Sequence, residues 1–191
     1  MTLPPCWPDP RRSPCDAVRS CSGLLALLGS TLAAGAAVPA GAGPKPPQVP
    51  EAIQVLPPEK VVLSVLGKGV QIYDCNPTTL AWTFREPAAS LHGRGGHVVG
   101  IHFRGPTFES FDGSSVLAAP NGSAPAPDPS RAIPWLRLKA VTNQGDGVLA
   151  RVDYVQRIET KGGVAPAGPC DPATNPTVAV PYRARYVFWA D

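Results

Sequence analysis

The chain has 191 residues, room for one domain with a leader or tail. Hydrophobic residues make up 43%, enough for a core, and the 25 prolines along the chain work against long helices. Net charge is +3, and +2 once Arg11, Arg12, Arg19, Asp9 and Asp16 near the start are set aside, which excludes the dense basic surface of a nucleic-acid binder.

Residues 23–38 read GLLALLGSTLAAGAAV, an uncharged run preceded by Arg11, Arg12 and Arg19 and followed by Ala40 and Ala42. A basic start, a short apolar stretch and a small-residue exit predict a secretory signal over 1–42, cleaved after Ala40 or Ala42. The run is shorter than the ~20 apolar residues of a membrane span, so no span is expected after cleavage and the mature protein is expected to be secreted or periplasmic. Cys21 precedes the run, unlike a lipoprotein cysteine, and Ser13-Pro14-Cys15 lacks the apolar residues a twin-arginine signal needs. Cys6, Cys15 and Cys21 leave with this leader, and Cys75 and Cys170 remain. In an oxidising compartment that pair is expected to form a disulfide; without a C-x-x-C spacing, a metal pair is the poorer reading.

Residues 43–58 hold six prolines and predict an extended linker, with the folded domain over 59–191. Val61, Leu63 and Val65 share one face of a first short strand, Gly67-Lys68-Gly69 reads as a turn, and 70–75 returns as its hairpin partner. A third strand over 80–85 puts Trp82 and Phe84 on one face. Residues 97–104 alternate, with Val99, Ile101 and Phe103 on one face and Val98, His102 and Arg104 on the other. Gly105-Pro106 ends that strand; 107–111 and 115–119 form a hairpin about Asp112-Gly113, and 120–134 reads as a Pro-rich loop. Residues 135–141 follow, with Trp135, Arg137 and Lys139 opposite Leu136, Leu138 and Ala140. The longest strand is expected over 148–159, then a Gly/Pro loop over 160–181, then a last strand over 182–190 with Tyr182, Ala184, Tyr186 and Phe188 on one face. Eight or nine strands without helical periodicity predict an all-β, single-domain antiparallel β-sandwich or partly closed barrel with long Pro/Gly loops.

The phrases GVQIYDC at 69–75, GIHFRGPTFESFDGSSV at 100–116, AIPWLRLKA at 132–140, VLARVDYVQRIETKGGVAPAGPC at 148–170 and VPYRARYVFW at 180–189 stand in an order that resembles a family of secreted bacterial, fungal and plant proteins. That family is known only as a domain of unknown function, number thirty-four fifty-five. The resemblance implies export, one domain and a Cys75–Cys170 pair, and it implies no activity. Some members carry a malate dehydrogenase label, but no strand here runs into G-x-G-x-x-G and a helix, so the dinucleotide fingerprint is absent. Phe103 and Phe108 stand where many relatives carry Tyr and Trp.

His92, His97 and His102 crowd together, but 97 and 102 face opposite sides of a regular strand, so His97 and His102 as metal ligands would need a bulge; a hydrogen-bonded structural histidine is the simpler reading of His102. Glu109 and Asp112 near His102 are candidates for acid–base work, although Asp112-Gly113-Ser114 is also an ordinary turn. Trp135 and Arg137 on one strand, and Arg183, Arg185 and Trp189 on another, are candidate binding surfaces, weighed against burial of the tryptophans in a second layer. The reading that follows is a non-enzymatic binding or envelope-interaction module for a small molecule, glycan or envelope component, with no cofactor and no nucleic acid. The alternative is a secreted hydrolase or metal-dependent enzyme built on His102, Glu109 and Asp112.

Overall fold

The computed structural model describes residues 44–191; the expected signal over 1–42 lies outside the described residues. Eight strands follow one another: β1 (Lys60–Cys75), β2 (Trp82–His92), β3 (Val98–Phe103), β4 (Thr107–Ser110), β5 (Ser115–Ala124), β6 (Trp135–Gln144), β7 (Tyr154–Gly162) and β8 (Thr177–Ala190). Each is antiparallel to the next, and β8 returns to pair with β1 from Lys60↔Ala190 to Asp74↔Thr177, so the sheet is an up-and-down ring. Closure leaves no free edge to template another chain, and of the two architectures expected it is the barrel that forms, closed in full. Among the described residues no helix is long and apolar enough to cross a membrane.

The turn expected at Gly67-Lys68-Gly69 is instead the middle of one 16-residue strand, β1. A Cβ on Gly67 would lie 2.5 Å from Cε2 of Tyr186, and one on Gly69 would lie 2.0 Å from the Ala88 carbonyl oxygen. These glycines are where neighbouring groups come close inside a strand, a role glycine shares with its role in turns. The strand expected over 148–159 begins only at Tyr154. Before it, the Val148 amide donates to Asp112 Oδ2 at 2.8 Å and the Leu149 amide to Ser114 Oγ at 3.0 Å. Asn143 Nδ2 donates to the Leu149 and Val152 carbonyls at 2.8 and 3.0 Å. Side chains thus satisfy the backbone that a strand ladder would have used, and buried Leu149 and Val152 plug that end of the barrel. β5 runs on through Pro120 to Ala124, into the stretch expected to be loop, with its register shifting between Pro120 and Gly122.

The barrel is filled by residues such as Val65, Leu91, Phe108, Val116, Val155 and Phe188. A second apolar cluster lies on its outside, where Ile53, Val61, Ala124, Ile158, Val187 and Trp189 pack together. Its cover is the Pro-rich segment before β1. A 3-10 turn over Glu51–Ile53 buries the Ile53 side chain completely, and the Ile53 carbonyl accepts from Gln156 Nε2 at 2.6 Å. Gln156 Oε1 in turn accepts from Trp189 Nε1 at 2.9 Å. The Cys75–Cys170 disulfide forms, with Cα atoms 5.6 Å apart, and joins the end of β1 to the long β7–β8 connection.

Candidate functional site

The β1–β2, β3–β4, β5–β6 and β7–β8 connections gather at one end of the barrel, since consecutive strands alternate in direction. There a cavity of about 180 Å³ opens into the lumen. Phe84, Pro87, Pro106, Pro120, Leu136 and Leu138 make its apolar wall, while His102, Arg157 and Tyr186 supply its polar groups.

His102 sits on β3 on the same face as Gly100, and that face points inward. This reverses the polarity of an ordinary half-buried strand: Ile101, the apolar neighbour, stays exposed. The His102 ring stacks on Phe108, with centroids 4.0 Å apart, and meets Tyr186 edge-on at 5.1 Å. Its Nδ1 lies 2.9 Å from the Thr107 carbonyl oxygen. A carbonyl only accepts, so Nδ1 carries the proton. Burial, aided by the positive charge of Arg157 and opposed by the Thr107 bond, pulls the ring's pKa down to about 3. The imidazole is therefore neutral at physiological pH, with Nε2 a bare acceptor. Among the described residues Nε2 has no hydrogen-bond partner.

Tyr186 and Tyr182 project into the lumen from β8, with hydroxyls 3.0 Å apart. Burial holds both phenols above their ordinary pKa, Tyr186 well above, so they stay protonated; Arg157 pulls the other way on each. Tyr73 meets the Phe84 ring edge-on at 5.6 Å, its hydroxyl donating to the Gly163 carbonyl at 2.6 Å. Gln71, almost fully buried on the same face of β1, leaves its Nε2 without a partner. Arg157 shares the inward face of β7 with Val155. A larger open recess, about 390 Å³, lies between Pro127 and Gly162, but its carboxylate, Asp128, is already engaged by the Ser130 amide and hydroxyl.

The other residues singled out by sequence fall elsewhere. Glu109 faces outward on β4, across from Ile101 and Ser115 and on the opposite side of the sheet from His102. Asp112 sits in the β4–β5 turn, its pKa drawn down to about 2 by the Ser114 hydroxyl first and then by the Val148 amide. The three do not converge. His92 bonds Ser90 Oγ and the Gly96 carbonyl at 2.9 and 3.0 Å, His97 is exposed, and His102 is in the lumen, so the histidines do not meet either. Among the described residues no three His, Cys, Asp or Glu side chains come together as a metal site. Trp189 is buried beneath the N-terminal segment and Trp135 packs at the same cluster. Arg137 reaches from β6 to Asn121 Oδ1 at 3.1 Å and to the Gln54 carbonyl. The Trp135, Arg137 and Trp189 face is thus occupied by the chain's own residues. Arg185 pairs with Glu159 at 3.4 Å, and Arg183 is exposed. Sequence reasoning did not single out Arg157: in the strand expected over 148–159 it shares a face with Arg151, Asp153 and Glu159, as a solvated arginine would.

A family model described as Protein of unknown function (DUF3455) matches residues 57–190. The chain belongs to that family. The match spans every strand of the DUF3455 barrel and both disulfide cysteines, and it begins after Ile53, the residue that covers the outer cluster. No curated protein and no solved structure matches the chain.

Proposed function

We propose that this DUF3455 protein is an exported, non-enzymatic binding module that takes a small molecule into the open end of its barrel. The observation that carries the reading is the cavity itself: an apolar lumen pocket into which His102 turns an unpartnered acceptor beside Arg157 and Tyr186. Ligand sites have this make-up, mostly apolar with a few convergent polar groups. A volume of about 180 Å³ lies below the ~300–1,000 Å³ of sites for larger ligands and just above the ~150 Å³ that holds a benzene ring. That favours a small molecule over a glycan chain. The residues facing the cavity include no carboxylate, thiol or aliphatic hydroxyl to act as nucleophile or acid, which favours binding over catalysis. The disulfide favours an oxidising compartment outside the cytoplasm.

The test is a thermal-shift screen of neutral and charged one-ring compounds against the wild-type protein and Leu136→Phe, whose added ring grows into the cavity. Compounds that stabilise the wild type and fail to stabilise the variant support the reading. A set that stabilises neither, or both equally, sinks it.

A further inference from the structure

Arg157 carries a positive charge into the pocket without an acid to neutralise it. Its Nε and Nη2 both donate to the Pro134 carbonyl, at 3.2 and 2.9 Å, and none of the ion pairs among the described residues includes it. The other arginine at the rim, Arg85, is already held by Asp74 at 2.8 Å and by Glu86 at 3.3 Å. Glu86 is shared with Arg104 at 2.9 Å. The negative charge at this rim is thus spent on Arg85 and Arg104, and the uncompensated charge at the pocket is that of Arg157.

A guanidinium is planar and matches the fork of a carboxylate, and half-burial strengthens such a charge-assisted pair relative to one in open water. The Pro134 contacts hold the group by its Nε–Nη2 side, with the Tyr186 hydroxyl beside it. His102 offers the complementary feature. With Nδ1–H committed to Thr107, Nε2 can only accept, so it calls for a ligand donor such as a hydroxyl. Between them, the ring of Phe84 and the faces of Pro87, Pro106 and Pro120 make flat apolar walls. Flat walls and a volume of about 180 Å³ fit one aromatic ring.

Building on the binding role proposed above, we infer that the pocket takes a one-ring aromatic hydroxy acid, with the carboxylate against Arg157 and the hydroxyl donating to Nε2 of His102. Arg157 sets the preference for an anion, and His102 the preference for a donor on the ring.

Isothermal titration of the disulfide-intact protein at neutral pH tests this with 3- and 4-hydroxybenzoate, the matching hydroxybenzamides, and benzoate. At least one hydroxybenzoate is expected to bind roughly tenfold or more tightly than its amide, because the carboxylate sets a full negative charge against Arg157 where the amide offers only a dipole, and more tightly than benzoate, which lacks the hydroxyl for His102. Arg157→Gln should bring the acid down to the affinity of the amide, and Arg157→Lys should keep part of the preference. Should Arg157→Gln fold poorly, the wild-type comparison of acid with amide decides alone. Amides that bind as well as the acids would overturn the carboxylate assignment and leave the pocket standing as a binding site. Benzoate that binds as well as both hydroxybenzoates would overturn the role given to His102. No binding by any of these acids or amides would overturn this inference, while the wider screen of one-ring compounds decides the binding role.

Discussion

The imidazole of His102 lies flat against the ring of Phe108, with planes only 2° from parallel. Stacking inside the barrel keeps the ring dry, and a dry imidazole resists protonation. An unfolded chain takes up this proton near pH 6.5, whereas the folded one does so only near 3. Between those values the unfolded state binds more protons, so the contribution of His102 to stability is whole above about 6.5 and is lost as pH falls toward 3. Two pH units below the unfolded value the loss is about 2–3 kcal/mol. His102→Phe keeps an aromatic ring on Phe108 and removes the titration. Urea denaturation at pH 7 and at pH 5 should show a smaller drop in midpoint for the variant than for the wild type; equal drops would refute the assignment.

Asp112 acts in a lower window. Its carboxylate accepts from the Ser114 amide and hydroxyl and from the Val148 amide, and these bonds hold its pKa near 2 against an ordinary 3.8. Its contribution is therefore present above about 3.8 and disappears as pH falls through 2. At neutral pH, Asp112→Ala should cost about 1–3 kcal/mol, because it unties the turn that seats Leu149 in the barrel end. Hydrogen exchange at the Val148 and Leu149 amides should quicken while ligand affinity stays unchanged. Unaltered exchange would mean that the turn holds without the carboxylate.

Alternation along the chain made the class of fold legible, because a strand's period of two survives in any sheet. Tyr182, Ala184, Tyr186 and Phe188 share one face, and that face is indeed the lumen. Alternation does not say which face is inside once both sides of a sheet are covered. On β7 the apolar residue Ile158 packs outward against the N-terminal segment, while Arg157 turns into the pocket. On β3 the same inversion buries His102 and exposes Ile101. The site was therefore half visible: His102 stood out as a histidine, but Arg157 looked like any solvated cation. The turn expected at Gly67-Lys68-Gly69 failed for a related reason, since the ring that requires Gly67 belongs to Tyr186, more than a hundred residues away.

The disulfide closes a loop with a sequence separation of 95 residues. Chain entropy assigns such a loop about 4–5 kcal/mol, restricting the unfolded chain more than strengthening the folded one. The paired variant Cys75→Ala/Cys170→Ala should therefore keep the barrel's far-UV circular dichroism and lose several kcal/mol in urea denaturation. A reductant should shift the wild type to the same midpoint. A double variant as stable as the oxidised protein would show that the barrel's own closure already confines the ends of this loop.

The N-terminal segment should prove part of the folded unit although it precedes every strand. Ile53 is wholly buried against Val187 and Trp189, and its carbonyl accepts from Gln156 while Gln156 accepts from the Trp189 indole. Truncating Ile53 removes apolar contacts on the outer wall of β7 and β8 without touching the lumen, and Ile53→Ala should cost about 2–4 kcal/mol, the range for a buried aliphatic cut to alanine. Removing residues 44–58 takes away the acceptor as well and leaves Trp189 facing water. Acrylamide quenching of tryptophan fluorescence should then rise sharply, while the affinity of the lumen for its ligand changes little, because the cavity lies on the other side of the sheet. If quenching is unchanged by the deletion, the indole has found other cover. If ligand affinity falls along with it, the outer wall and the pocket are coupled through β7, the strand that carries Gln156 on one face and Arg157 on the other.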